Sequence, residues 1–317
     1  MPDVNRLLDG LRLGEPQGRS KLQLVPLIKV EPTRLHLDYV LVEEALARGL
    51  LNIIEEGRVG EVRVSSSTDS HTLLLAGEEL AGAWQDRILN VDVLLRPRGN
   101  TTIPVSCIEK GRWAGSSTSF MAGMYGPPMV RAVTTQSVGR NLLASSAACS
   151  DQQAVWAAVD TLLTRTGSIS GSRAMSAIFP QHQSALDLLL NGLRCPANAV
   201  GVIAVVNGEF AAVDIFDRPS TLSQIWRRLT QAYAAHALIL PTLMGSQSAI
   251  KTAAVMQCLR SADATIFNGV DRGEDWRIET RDFIGSALVV DGAMVHLSAF
   301  PNNSAGEFSA GKRKSRR

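Results

Sequence analysis

Two neighbouring blocks of the sequence concentrate side chains that could bind a ligand or transfer protons. The first block runs from Gly77 to Asn90, and the second runs from Ile103 to Trp113. The candidate catalytic groups in these blocks are the carboxylates of Glu79 and Glu109. The candidate ligand-binding groups are carboxylate, amide, guanidinium and indole side chains: Glu78, Gln85, Arg87, Asn90, Arg112 and Trp113.

The residue types in these blocks suit two kinds of chemistry. Two carboxyl groups can act as acid and base when their surroundings hold one protonated and the other ionised. A guanidinium offers a planar fork for phosphate or carboxylate, and an indole offers a face on which a base or sugar can stack. We therefore expect Arg87 and Arg112 to bind an anionic group, with Trp113 forming a wall of the pocket.

The same residues permit a purely structural interpretation. Glutamate and arginine side chains on adjacent strands can pair with one another and fix a β corner, while Trp113 packs against it. The side-chain chemistry taken alone favours this alternative. A ligand site, by contrast, requires the candidate side chains to converge on one concave surface near the segment Gly115–Thr135.

Other chemical signatures in the sequence are weak. Cys107 ends an apolar run, which is more typical of a buried small residue than of a nucleophile. The five histidines show no metal-ligand spacing, so we expect no metal site. The segment Gly167–Gly171 lacks both the lysine and the spacing of a phosphate-binding loop. The sequence therefore leaves the cofactor unknown.

Hydrophobic periodicity places the two blocks in a β-rich half of the chain. Short apolar runs separated by turn residues predict strands before Trp113, whereas helical spacing dominates after Ser150. The dipeptides Asn207-Gly208 and Asp291-Gly292 each predict the turn of a β-hairpin. The expected fold class is α+β, with an antiparallel β-rich N-terminal half and with helices and two β-hairpins in the C-terminal half.

The chain is long enough for one elaborate domain, which we expect over residues 21–302. Residues 1–20 are polar and contain glycine and proline, so we expect them to be loose. Residues 115–135 are rich in Gly, Ser, Met and Pro without periodicity, which indicates an internal boundary or a lid. Residues 303–317 are expected to form a disordered basic tail.

Charge and cysteine content limit the partners of the chain. The formal net charge is +2, but the tail carries five basic residues, so the rest of the chain is slightly acidic. The tail could contact a phosphate backbone or an anionic membrane surface, although a solvated end is the simpler interpretation. Elsewhere we expect neither nucleic acid nor membrane binding, and the oligomeric state is not indicated. Four widely spaced cysteines without a Cys-x-x-Cys motif favour a cytoplasmic location.

Read together, the two blocks resemble the ARPP family, which is named for its association with ADP-ribosylglycohydrolases and rhodanese-phosphatase proteins. The family pattern is close to GEELxGAKQNRILN followed by IPVSCVExGRW, and this chain has GEELAGAWQDRILN and IPVSCIEKGRW. Trp84 and Asp86 depart from the pattern, which has Lys and Asn at these positions. Weaker similarity extends to about Asn302, so the resemblance implies one family domain.

The resemblance implies a link to ADP-ribose or nucleotide metabolism, but it implies no particular reaction. We therefore expect an intracellular domain that handles a nucleotide-derived or ADP-ribose-like small molecule through a pocket of Glu, Arg and Trp. The alternative is a non-catalytic binding or scaffold module that regulates a partner protein. The sequence leaves open whether the chain is an enzyme, because it contains no complete nucleophile, metal or cofactor signature.

Overall fold

The computed structural model describes residues 3–19, 21–30, 37–113, 115, 117–241 and 252–302. Helices account for 31% and strands for 38% of the structure, and the sheets are largely antiparallel, which confirms the predicted α+β class and the β-rich N-terminal half. The expected basic tail lies outside the described residues. None of the helices in the described part is long and apolar enough to span a membrane.

Within the described residues, eighteen strands form three sheets. The strands are β1 (Leu11–Leu13), β2 (Gln17–Arg19), β3 (Leu22–Lys29), β4 (Tyr39–Leu41), β5 (Leu51–Ile54), β6 (Glu61–Ser66), β7 (His71–Leu74), β8 (Glu78–Gly82), β9 (Arg87–Leu89), β10 (Val93–Leu95), β11 (Asn100–Cys107), β12 (Phe120–Tyr125), β13 (Ala199–Val206), β14 (Glu209–Phe216), β15 (Ala264–Asn268), β16 (Glu274–Glu279), β17 (Phe283–Val290) and β18 (Ala293–Pro301). The helices are α1 (Val4–Leu7), α2 (Val42–Ala47), α3 (Pro128–Ser145), α4 (Gln152–Thr166), α5 (Ile178–Gln181), α6 (Gln183–Leu190), α7 (Pro219–Leu238) and α8 (Thr252–Arg260), with a 3₁₀ turn at Met175–Ala177.

The largest sheet is antiparallel throughout and has the strand order β1-β3-β13-β14-β18-β17-β16-β15, with β2 also beside β3. Its hairpins β13–β14 and β17–β18 turn at Asn207-Gly208 and Asp291-Gly292, and all four turn residues have positive φ. Both predicted hairpins are therefore confirmed. Asparagine, aspartate and glycine suit these turns because they tolerate positive φ better than other residues.

Two smaller sheets belong to the N-terminal half. The six-stranded sheet has the order β12-β8-β9-β11-β6-β5 and is antiparallel, whereas the three-stranded sheet β10-β7-β4 contains one parallel pair, β4 with β7. The apolar run from Ile88 to Leu95 is divided between the two sheets, because the chain leaves β9 in one and enters β10 in the other. The candidate blocks lie on β8, β9 and β11, which are adjacent strands.

Side chains from both halves of the chain share one apolar core. Leu73 and Ile88 from the N-terminal half pack in the same cluster as Val202 and Phe216 from the large sheet. The opposite face of the large sheet packs against α1 and α8. A further apolar cluster is formed mainly by residues of the two N-terminal sheets. The shared core holds the strands that carry the candidate residues against the large sheet.

The segment Gly115–Thr135 differs from the boundary or lid that we expected. Its described residues include β12, which pairs with β8, and the start of α3. Pro128 begins α3, where proline is well tolerated because the first helical N–H has no partner within the helix. Gly123 therefore lies within β12 and Pro128 begins α3, whereas Gly126 and Pro127 form the short connection between these elements.

The first residues of the chain also differ from the loose segment that we expected. The described part, residues 3–19, contains α1, β1 and β2, and both strands pair with β3. Val4, Leu7, Leu8 and Leu11 are buried in the cluster that covers the outer face of the large sheet. The helical spacing of these apolar residues is the sequence pattern that indicates a packed segment. The polar residues around them led us to expect a loose one.

Candidate functional site

The turn between β8 and β9 brings the two candidate blocks together. Gly82 and Ala83 in this turn both have positive φ, which lets the chain reverse within a few residues. Asp86 follows the turn, whereas Glu109 and Arg112 follow the end of the neighbouring strand β11. Acidic and basic side chains therefore meet at one end of the six-stranded sheet.

Three carboxylates and one guanidinium form what we call the acid cluster: Glu79, Asp86, Glu109 and Arg112. Arg112 Nε donates to Glu109 Oε2 at 2.8 Å, and Arg112 Nη2 donates to Asp86 Oδ1 at 3.1 Å. Glu109 Oε2 also accepts the backbone N–H of Asp86 at 3.1 Å. The Ser176 hydroxyl, from a distant part of the chain, donates to Asp86 Oδ2 at 3.5 Å.

Glu79 is the member of the acid cluster that most readily keeps a proton. Its side chain is buried, and its Oε2 accepts the backbone N–H of Met124 on β12 at 2.8 Å. Burial raises the pKa of Glu79 to about 7, and the negative charges of Asp86 and Glu109 act in the same direction. A substantial fraction of the Glu79 carboxyl groups is therefore protonated at neutral pH.

Glu109 shows the opposite behaviour. Burial alone would raise the pKa of Glu109, but hydrogen bonds from Arg112, the Ser172 hydroxyl and the backbone N–H of Asp86 hold it below the usual value. Burial raises the pKa of Asp86, and the charge of Glu109 contributes to this shift. The acid cluster thus combines one carboxyl group that is protonated near neutral pH with one that is ionised.

The guanidinium of Arg112 is occupied by acceptors from the protein. Besides the two carboxylates, it binds the carbonyl oxygens of Ala83 through Nη1 at 2.6 Å and of Gly82 through Nη2 at 3.3 Å. Its side chain is 31% exposed, compared with 12% for Asp86 and 5% for Glu109. Arg112 therefore lies on the open side of the acid cluster and leaves it with an excess of negative charge.

Arg87 forms a second, fully buried group that adjoins the acid cluster. Its Nη2 donates to Glu55 Oε2 at 2.8 Å, and its Nη1 contacts the Cys107 thiol and lies 3.4 Å from Gln85 Oε1. Gln85 Nε2 in turn donates to the carbonyl oxygen of Glu109 at 2.8 Å. Burial raises the pKa of Cys107 to about 11, so the thiol is protonated at neutral pH. Like Arg112, Arg87 binds protein groups, which differs from the anion-binding role that we expected.

The remaining candidates make separate contacts. Glu78 binds Arg228 of α7 at 2.8 Å, and Asn90 accepts a hydrogen bond from the Ser106 hydroxyl at 2.6 Å. Trp113 is 57% exposed at the surface. The candidates that the structure brings into one connected group are Glu79, Gln85, Arg87, Glu109 and Arg112.

Several contributing residues were missed from the sequence. Asp86 was noted only as a departure from the family pattern, although its carboxylate lies at the centre of the acid cluster. Glu55, Ser172 and Ser176 carry no motif, and they are distant in sequence from the side chains that they contact. Only the three-dimensional structure connects them with the two blocks.

A second constellation, which we call the buried charge network, was also missed: Asp92, Arg131, Asp214, Tyr233 and His296. Arg131 and Asp214 form a bidentate ion pair, and the Tyr233 hydroxyl donates to Asp214. The His296 ring nitrogens lie 2.9 Å from Asp92 Oδ2 and 3.3 Å from Asp214 Oδ1. The sequence signal was an ionisable residue inside an apolar strand, as in FAAVDIF and AMVHLSAF.

No metal centre is formed by the part of the chain that the structure describes. Within those ranges, no three His, Cys, Asp or Glu side chains are arranged to hold a metal ion. The carboxylates of the acid cluster are instead committed to Arg112 and to backbone N–H groups.

Comparison with known proteins bears on the chain as a whole. No curated protein and no solved structure matches it significantly. The family model for the ARG and Rhodanese-Phosphatase-superfamily-associated Protein domain matches residues 10–300, nearly the whole chain, and includes every residue of the acid cluster. The chain therefore belongs to the ARG and Rhodanese-Phosphatase-superfamily-associated Protein domain family.

Proposed function

We propose that this domain handles a nucleotide-derived or ADP-ribose-like small molecule at the acid cluster, with Glu79 as proton donor and Glu109 as proton acceptor. The supporting observation is the difference in protonation between these two carboxyl groups: the pKa of Glu79 is raised to about 7, and that of Glu109 is lowered. Two carboxyl groups in one site with pKa values held apart are the usual arrangement for acid–base catalysis.

The charge of the acid cluster suggests which part of the ligand it faces. The carboxylates of Asp86 and Glu109 bind one guanidinium, so the acid cluster is negatively charged even with Glu79 protonated, and the donors of that guanidinium already bind protein oxygens. Phosphate groups would be repelled here, whereas the hydroxyl groups of a ribose can donate to carboxylates. The proposal therefore places the neutral sugar next to the acidic side chains. It places the phosphates away from Arg87 and Arg112.

Trp113 offers a surface for a further part of the ligand. It follows Arg112 directly in the chain, and more than half of its side chain is exposed. An indole face stacks on a base or a sugar, and removing such a contact weakens binding without affecting the protein interior. Trp113 is thus proposed to bind the base or the outer sugar.

The reaction that suits this arrangement is hydrolysis of a glycosidic bond. Glu79 would donate its proton to the leaving atom as the bond to the sugar carbon breaks. Glu109 would accept a proton from the water molecule that attacks the same carbon, so that the net proton count of the pair is unchanged. Paired carboxyl groups in these two roles are the general solution for glycoside hydrolysis.

The closed hydrogen bonding of Arg112 favours a second candidate function. Its bonds to two carboxylates and two backbone carbonyl oxygens would equally well fix the β8–β9 turn of a non-catalytic binding or scaffold module. In that case the acid cluster stabilises the fold, and a partner protein binds at another surface.

Turnover of ADP-ribose and ADP, which each carry a glycosidic bond between adenine and ribose, tests the proposal with three variants. Ribose 5-phosphate carries no such bond and tests binding alone. We expect Glu79→Gln and Glu109→Gln each to lower turnover about 100-fold or more, because each removes one proton-transfer group. Trp113→Ala should weaken binding while leaving the melting temperature unchanged. Leu188→Ala, which removes an exposed apolar side chain on α6, is the control and should alter neither property.

The two candidate functions predict different results for the same variants. If none of the three compounds raises the melting temperature, and Glu109→Gln instead destabilises the protein, the scaffold function is supported. Full turnover in folded Glu79→Gln would eliminate Glu79 as the proton donor.

A further inference from the structure

A cavity beneath α3, which we call the α3 cavity, lies apart from the acid cluster. Its volume is about 150 Å³, and it is bounded by α3 and by strands β15, β16 and β17. Its polar lining includes Thr135 and Gln136 of α3, together with Arg277 of β16. We propose that the α3 cavity binds a small molecule that carries a single carboxylate.

Arg277 is the observation that supports a ligand in the α3 cavity. Its side chain is only 6% exposed, and its Nη2 donates to Asp275 Oδ2 at 2.5 Å. Its Nε and Nη1 are buried and make no hydrogen bond within the part of the chain that the structure describes. Because a buried charged donor without an acceptor costs free energy, the free side of this guanidinium is suited to an acceptor inside the cavity.

The strand ladder fixes Arg277 on the face of the sheet that α3 covers. Arg277 pairs with Thr265 on one side and with Ser286 on the other, so these three side chains share a face. Its neighbours Trp276 and Ile278 point to the opposite face, where they are buried in the apolar cluster beneath α1 and α8. Backbone pairing therefore keeps Arg277 on the face of the sheet that α3 covers.

The surrounding charges favour a ligand with one negative charge over one with two. Asp275 balances the charge of Arg277, and the exposed Asp263 and Glu279 also line the cavity. These acids would repel a dianion such as phosphate more strongly than a monocarboxylate, and they would attract an ammonium group. The cavity holds roughly five water molecules by volume, which is the size of a small amino acid.

The planar guanidinium also favours a carboxylate on geometric grounds. Carboxylate oxygens match the spacing of guanidinium N–H groups, and the Gln136 amide and the Thr135 hydroxyl can donate to the same ligand. An amino acid would place its carboxylate at Arg277 and its ammonium group toward Asp263 and Glu279. The chemical class proposed is thus a small monocarboxylate whose other end is neutral or positively charged.

Saturation-transfer NMR on the full chain tests the α3 cavity with propionate, L-alanine and L-alaninamide at millimolar concentration. We expect a signal from the two carboxylates and none from the amide, and added inorganic phosphate should not displace L-alanine. Arg277→Gln should lose the signal because it removes the guanidinium. Gly139→Leu should also lose it, because residue 139 lines the cavity and a side chain there meets open space.

Gly139→Ala is the matched control, since it makes the same helix more stable without filling the cavity, and it should keep the signal. If Arg277→Gln does not fold, Gly139→Leu decides the outcome. The proposal is overturned by absence of a signal from both carboxylates, by an equal signal from L-alaninamide, by displacement with phosphate, or by full binding in folded Gly139→Leu.

Discussion

Glu79 lies beneath β12, in surroundings that oppose its ionisation. Its Oε2 accepts the backbone N–H of Met124 at 2.8 Å, and Asp86 and Glu109 add negative charge nearby. Asp86 places one of these negative charges in the turn between β8 and β9. The additional charge contributes to keeping Glu79 protonated near neutral pH, as a proton donor requires.

Replacing Glu79 by glutamine should change the pH dependence of stability. The pKa of Glu79 is about 7 in the folded state, compared with the ordinary value of 4.5. Because ionisation is harder in the folded state, the contribution of Glu79 to the free energy of unfolding falls as the pH rises from 4.5 through 7. Glutamine mimics the protonated form and does not titrate. The stability of Glu79→Gln relative to the natural chain should therefore be greater near pH 8 than near pH 5, by up to about 3 kcal/mol.

Urea unfolding of both proteins at the two pH values measures this difference. Glu15→Gln, which makes the same chemical change at an exposed glutamate, is the control for the substitution itself. A relative stability of Glu79→Gln that stays constant between the two pH values would mean that Glu79 titrates as an ordinary surface carboxyl group.

The strand β12 is the element on which the geometry of Glu79 depends. It crosses the Glu79 side chain at Gly123, where a methyl group would lie 2.6 Å from Glu79 Oε2 and 2.8 Å from Glu79 Cδ. The contact is closer than packed atoms tolerate, so only glycine fits without displacing the carboxyl group. The glycine at position 123 thus follows from the close approach of the strand to Glu79.

Gly123→Ala should destabilise the protein by about 1–3 kcal/mol, because the added methyl group overpacks this contact. Gly139→Ala makes the same chemical change in α3, where the methyl group meets open space. It should stabilise the protein by up to about 1 kcal/mol through its helix propensity. Urea unfolding measures the free energy of unfolding of both variants. Equal stability of the two variants would contradict the crowding of Glu79 by β12.

Local sequence signals predicted those elements whose geometry is determined by neighbouring residues. The turns at Asn207-Gly208 and Asp291-Gly292 are examples, because turn conformation is a local property. The strand β12 was missed because Gly123 resembles a loop residue in the sequence, whereas it reflects close contact with Glu79, which lies more than forty residues earlier. The structure places the two blocks on adjacent strands, but Arg112 donates to turn carbonyl oxygens that no motif encodes.

The molecule is held together across its two halves by the buried charge network. Asp92 comes from the N-terminal half, Arg131 from α3 and Tyr233 from α7, whereas Asp214 and His296 lie on the large sheet. With Arg131 and His296 protonated, two positive charges balance the two carboxylates. Such a network specifies one relative placement of these elements, because displacing any of them leaves a buried charge unpaired. It could not be predicted from sequence, because its members are separated by up to two hundred residues.

His296 should remain protonated well above neutral pH. Burial alone would lower its pKa, but Asp92 and Asp214 outweigh burial and raise the pKa to about 9. We expect the ¹⁵N resonances of the His296 imidazole to show both nitrogens protonated at about pH 8, where an ordinary histidine is neutral. A titration midpoint near the ordinary 6.5 would contradict the charge assignment of the network.

The same protonation makes the whole molecule depend on pH. A histidine whose folded pKa is raised contributes stability that is complete below its ordinary pKa of 6.5 and is lost as the pH rises through about 9. His296→Gln should therefore be less stable than the natural chain near pH 6, and this deficit should shrink by up to about 3 kcal/mol near pH 10. Urea unfolding at both pH values measures this difference in the free energy of unfolding. His182→Gln is the control, because it removes a histidine whose ring is hydrogen-bonded to the nearby Ser168. A deficit that is the same at both pH values would mean that the charge of His296 does not hold the two halves together.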